Sequence, residues 1–91
     1  MSIREFLDAS ERGDVVLVKK FIESGIYVNV KDEKGCHALM YASSKNAIEC
    51  VDLIIKSGAD VNAKNVFGFT ALDFAIEHGS PACIKLLEKY V

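Results

Sequence analysis

The stretch Gly58-Ala59-Asp60-Val61-Asn62-Ala63-Lys64, followed by Gly68-Phe69-Thr70-Ala71-Leu72-Asp73-Phe74-Ala75, decides the fold, because much of it stands in the chain twice. Ser57-Gly58 is preceded by Ser24-Gly25, Val61-Asn62 by Val28-Asn29 and Lys64 by Lys31, each 33 residues earlier. At the same offset Gly68 follows Gly35, Ala71-Leu72 follows Ala38-Leu39 and Ala75 follows Ala42. The match continues outward through Cys50/Cys83, Leu53/Leu86 and Lys56/Lys89, and upstream through Ala9/Ala42, Ser10/Ser43, Val18/Val51 and Ile22/Ile55. Most of these pairs are glycines, alanines and aliphatics, the residue types that fix turns and cores. A period of this length marks a stack of supersecondary units, each burying its apolar face against the next.

Each unit reads as two short helices and a loop. Val15, Val18, Phe21 and Ile22 lie at helical spacing, as do Ile48, Val51, Ile54 and Ile55, and in the last unit Ile84 and Leu87. The first helices carry Phe6 and Leu7, then Leu39 and Met40, then Leu72 and Ile76. Ala9, Ala42 and Ala75 follow three residues after Phe6, Leu39 and Leu72, where a small side chain lets helices approach closely. Ala42→Leu is expected to overpack at a cost of about 1–3 kcal/mol. Gly25 and Gly58 fit left-handed caps after the second helices, and Gly13, Asn46 and Gly79 share one register between paired helices. Asp14, Thr70 and Ser80 are predicted N-caps, the last with Pro81 at the first helical position.

The two quoted segments resemble the ankyrin-repeat signature. Gly68-Phe69-Thr70-Ala71-Leu72-Asp73-Phe74-Ala75 is similar to the family's G-x-T-P-L-H-x-A with two changes. The resemblance extends over nearly the whole chain. It implies an all-α solenoid of helix-turn-helix units joined by hairpin-like loops, in one domain of residues 1–91 with repeats near 1–31, 32–64 and 65–91. Both ends read as caps, Glu88 standing where earlier units have Ile22 and Ile55, and they predict a complete small unit. Two departures from the family lower the expected stability toward the bottom of the range of about 5–15 kcal/mol. His37-Ala38-Leu39-Met40 and Thr70-Ala71-Leu72-Asp73 lose the family's proline and its Thr–His hydrogen bond.

Composition narrows the function. Ninety-one residues with 51% hydrophobic and 26% charged side chains make one small folded domain with little room for an enclosed active site. The net charge of -2 disfavours general binding to nucleic acid or an anionic membrane. The longest aliphatic run, Val15 to Val18, is too short to span a bilayer. The N-terminus lacks the basic and apolar regions of a signal peptide, and with three cysteines this predicts an intracellular, cytoplasmic or nuclear setting. Cys36, Cys50, Cys83, His37 and His78 show no metal-ligand spacing, and no catalytic or phosphate-binding motif is present. The expectation is therefore a protein with no enzymatic activity, cofactor or metal. Cys50 and Cys83 are expected to stay free thiols in neighbouring helices, Cys36 to be exposed in its loop, and His37 to have a local structural role.

The ankyrin resemblance implies binding of another protein by loop tips and first-helix ends on a concave face. Carried onto this sequence, that face comprises Lys31, Glu33, Lys34 and Cys36 in the first loop and Lys64, Val66, Phe67 and Phe69 in the second. Ser44, Lys45, Glu77 and His78 on the helices complete it, with Glu11 and Arg12 at the N-terminal edge. The first loop, Lys31-Asp32-Glu33-Lys34, is charged in both signs and is expected to be solvated. The second, Asn65-Val66-Phe67-Gly68-Phe69, is apolar where surface loops are polar, which makes Phe67 the predicted anchor. Tyr41 and Phe74 share one first-helix position and are expected to be partly buried between units. A monomer is expected, with a self-associating scaffold joined through the apolar loop as the alternative.

Overall fold

The computed structural model describes residues 2–91 and contains six helices. They are α1 (Ile3–Arg12), α2 (Val15–Glu23), α3 (Ala38–Ser44), α4 (Ile48–Lys56), α5 (Ala71–Glu77) and α6 (Pro81–Glu88), with no strand among the described residues. The first helix of each pair stacks on the next, α1 on α3 and α3 on α5, while α2, α4 and α6 form a second layer. The stack measures 30 × 25 × 20 Å.

Local chemistry starts three of the six helices where the sequence predicts. Asp14 Oδ1 accepts from the Leu17 amide at 3.1 Å and caps α2. Thr70 and Asp73 form a capping box at α5: the Asp73 amide donates to Thr70 Oγ1, and the Thr70 amide to Asp73 Oδ2 at 2.9 Å. This pair replaces the family's Thr–His bond. A second capping box, Ser2 with Glu5, starts α1 and was not among the sequence expectations. Pro81 does occupy the first position of α6, but the Ser80 hydroxyl makes no capping bond. Gly13, Asn46 and Gly79 all adopt the left-handed conformation their shared register requires.

The core lies between the helix pairs. Phe6, Leu7, Val18, Phe21, Leu39, Met40, Val51, Ile54 and Leu87 are fully buried, each worth about 1.5–3 kcal/mol on transfer from water. Ala9, Ala42 and Ala75 are equally inaccessible, as close helix approach demands. Ser10 and Ser43 are buried between units, and their hydroxyls donate to the Phe6 and Leu39 carbonyls one turn back. The equivalent residue in the last unit is Ile76, which is 57% exposed and not part of the apolar face predicted for it. Its register position is the one that, at Ser10 and Ser43, faces the following unit. Cys50 and Cys83 are buried free thiols whose pKa burial pushes up.

Candidate functional site

The two loops fold alike. Asp32 and Asn65 each donate a backbone N–H to the carbonyl four residues on, Cys36 and Phe69, and each side chain gathers nearby amides. Asp32 Oδ1 accepts from Lys34 and Cys36, and Asn65 Oδ1 from Phe67 and Phe69, all at 2.9–3.0 Å. The loops also touch. The Val66 amide donates to the Lys34 carbonyl, and Asn65 Nδ2 donates to Cys36 Sγ at 3.5 Å.

Two hollows open between these loops and the first-layer helices. One, of about 310 Å³, is lined by Lys34, Cys36, Tyr41, Asn65, Phe67, Phe69, Phe74, Glu77 and His78. The other, of about 210 Å³, is lined by Glu11, Cys36, Met40, Tyr41, Ser44, Lys45, Phe74 and His78. Cys36, Tyr41, Phe74 and His78 belong to both, so the hollows form one groove with aromatic walls. Phe69 meets Phe74 edge-on at 6.2 Å between ring centroids, and His78 stacks on Phe74 at 6.4 Å. His78 Nδ1 lies 2.9 Å from the Phe74 carbonyl, which fixes the ring. Phe67 is 68% exposed and Phe69 43%, so the second loop presents its aromatics to solvent.

Of the residues predicted from sequence, Lys34, Cys36, Ser44, Lys45, Phe67, Phe69, Glu77 and His78 are brought together in the groove, with Glu11 beside them. Lys31, Glu33, Lys64 and Val66 line neither hollow and stand exposed. Arg12 lies elsewhere, in a larger hollow of about 420 Å³ between the turns that follow α1 and α3. That hollow has no aromatic wall and, besides Arg12, holds only Lys45 of the predicted residues.

Two expectations for the first loop are corrected. Cys36 is 7% exposed, with the Asn65 side-chain amide bonded to its sulfur from the second loop. Asp32 is not a solvated loop charge: its side chain is 4% exposed. Besides the two backbone amides it accepts from the Tyr41 hydroxyl and, at 3.3 Å, from the Arg4 guanidinium, which also lies over the Tyr41 ring at 6.0 Å. Burial pushes the Asp32 carboxyl up, but its four donors outweigh that and hold it below the usual carboxylate range. Burial, and then the bond to Asp32, raises the Tyr41 phenol to about 12.

Sequence reasoning missed Asp32 and Arg4 and gave Tyr41 and Phe74 a secondary role. The available signal was the pairing of Asp32 with Tyr41 and of Asn65 with Phe74, each nine residues apart. Tyr41 and Phe74 are half-buried, as expected.

Comparison with known proteins follows the same lines. A family model described as ankyrin repeats in three copies matches residues 6–90. A crystal structure of the human ASB11 ankyrin repeat domain is similar at a TM-score of 0.89 and 28% identity, over 92% of this chain and 38% of that one. The chain therefore spans well under half the length of that solved chain. No curated protein matches the chain.

Proposed function

The chain belongs to the ankyrin-repeat family, whose repeats are generally protein–protein interaction modules, and from that premise we propose that it binds a partner protein in the groove between its loops and first-layer helices. The observation that carries this reading is the exposure of Phe67 and Phe69 beside an aromatic-walled hollow. Large apolar side chains held in water beside a concavity are the usual anchors of an interface, ringed by polar groups that exclude water. Lys34, Lys45, Glu77 and Glu11 supply such a rim with both signs of charge. The partner on this reading offers an apolar side chain to the hollow and polar groups of either sign around it. We place the interaction inside the cell, where three free thiols persist.

Affinity capture from a native cell extract tests the reading. The wild type should retain a protein that Phe67→Ala/Phe69→Ala does not, at equal helical content. Equal retention by both would remove the loop as anchor.

Self-association is the second reading, favoured by the adjacent exposure of Val66 and Phe67 at one loop tip. Light scattering across a dilution series separates the two readings. A mass independent of concentration excludes self-association.

A further inference from the structure

We propose that Asp32 is the positioning residue of the groove, fixing the aromatic wall that both hollows share. The inference rests on the groove as the binding site. The Asp32 side chain is almost wholly buried, and its carboxylate accepts from four donors. Oδ1 holds the first loop through the Lys34 and Cys36 amides. Oδ2 holds the Tyr41 hydroxyl and the Arg4 guanidinium. One side chain thus joins three parts of the stack: α1 of the first unit, the first loop, and the α3 residue that walls both hollows.

The second loop shows what the charge adds. Asn65 makes the same two loop bonds without a carboxylate, so the turn alone does not need aspartate. Phe74, at the position equivalent to Tyr41, has no hydroxyl to hold. It is instead packed against Phe69 and His78. Aspartate therefore stands where a tyrosine must be anchored, and asparagine where a phenylalanine is held by packing. With its hydroxyl released, the half-buried Tyr41 ring gains rotamers and loosens the wall that it shares with Cys36 in both hollows, which opens access to that thiol. A partner would then have to re-order that wall on binding, which weakens association.

Site-resolved thiol alkylation tests this without any partner. Wild type, Asp32→Asn and Tyr41→Phe are treated with iodoacetamide under native conditions, and each cysteine is read by peptide mass spectrometry. Asp32→Asn keeps the loop bonds that Asn65 makes naturally, and Tyr41→Phe keeps the ring. Cys50 and Cys83, fully buried, report global opening. Cys36 should react about fivefold faster in both variants, with Cys50 and Cys83 as slow as in wild type. An unchanged Cys36 rate overturns the proposal. So does a parallel rise at all three thiols, which would make Asp32 a general stabiliser. The labelling result and the Phe67/Phe69 capture result can fail independently, so each reading stands on its own test.

Discussion

The Val66 amide donates to the Lys34 carbonyl at 2.9 Å, and this bond seats the second loop on the first. It also brings the Val66 nitrogen to 3.1 Å, and the Asn65 Cα to 3.2 Å, from where a Cβ on Gly35 would stand. Gly35 is therefore held by two constraints, a left-handed φ of 75° and the approach of the next loop. Gly68 has the first constraint alone: its φ is 83°, and nothing lies within 4 Å of its Cβ position.

The two glycines should consequently respond differently to alanine. Gly68→Ala is expected to lose about 1–2 kcal/mol from left-handed strain. Gly35→Ala should lose that and roughly 1–3 kcal/mol more, because the clash is with backbone. Chemical denaturation of both variants checks the order, and equal losses would contradict the loop-on-loop contact.

The capping box at α5 gives a second expectation. Thr70→Ala removes the acceptor for the Asp73 amide and should cost about 1 kcal/mol by denaturation. The same exchange at Ser80, whose hydroxyl makes no capping bond, should cost α6 less through its cap. Equal effects at the two positions would show that the box contributes nothing beyond helix propensity.

A third expectation concerns acid. His37 is 1% exposed, and neither ring nitrogen has a hydrogen-bond partner among the described residues. Burial, reinforced by the charge of Lys31 and opposed by Asp60, holds its pKa below the ordinary 6.5. The unfolded chain then binds more protons than the folded one between the two pKa values, so stability rises with pH across that window. The contribution is complete above 6.5, falls as pH drops below it, and levels off under the depressed folded value. Asp32, with its lowered pKa, adds a separate loss at lower pH still. Denaturation at a series of pH values between 5 and 8, for wild type and His37→Thr, reads the slope. His37→Thr should flatten it, and an unchanged slope would assign the dependence to another group.

The extent to which the sequence foretold these features follows from which residues act locally. Gly13, Asn46 and Gly79 declare their conformation through their own backbone, and Thr70 through a neighbour three residues on, so both were readable. Ile76, Cys36 and Asp32 were not, because part of their surroundings comes from other units. Ile76 has helical spacing that points inward, yet its position is covered only where another unit follows, as at Ser10 and Ser43. Cys36 is hidden by Asn65, and Asp32 by Arg4 and Tyr41, contacts that span 29, 28 and 9 residues. The exposed aromatics of the second loop were readable for the opposite reason, since nothing distant folds over Phe67. Half of the first-loop set failed to join the groove because the loop turns Lys31 and Glu33 outward while Lys34 and Cys36 line it.

The central claim is that a protein partner is anchored on Phe67 and Phe69 at this groove. Its most direct test is a binding titration of the captured partner against wild type, Phe67→Ala/Phe69→Ala and Val16→Ala, the last an exposed apolar residue that lines neither hollow. The account predicts that the double variant binds at least about tenfold more weakly, as loss of an interface anchor does, while Val16→Ala and the helical content of all three are unchanged. Equal affinity of the double variant and the wild type would contradict it.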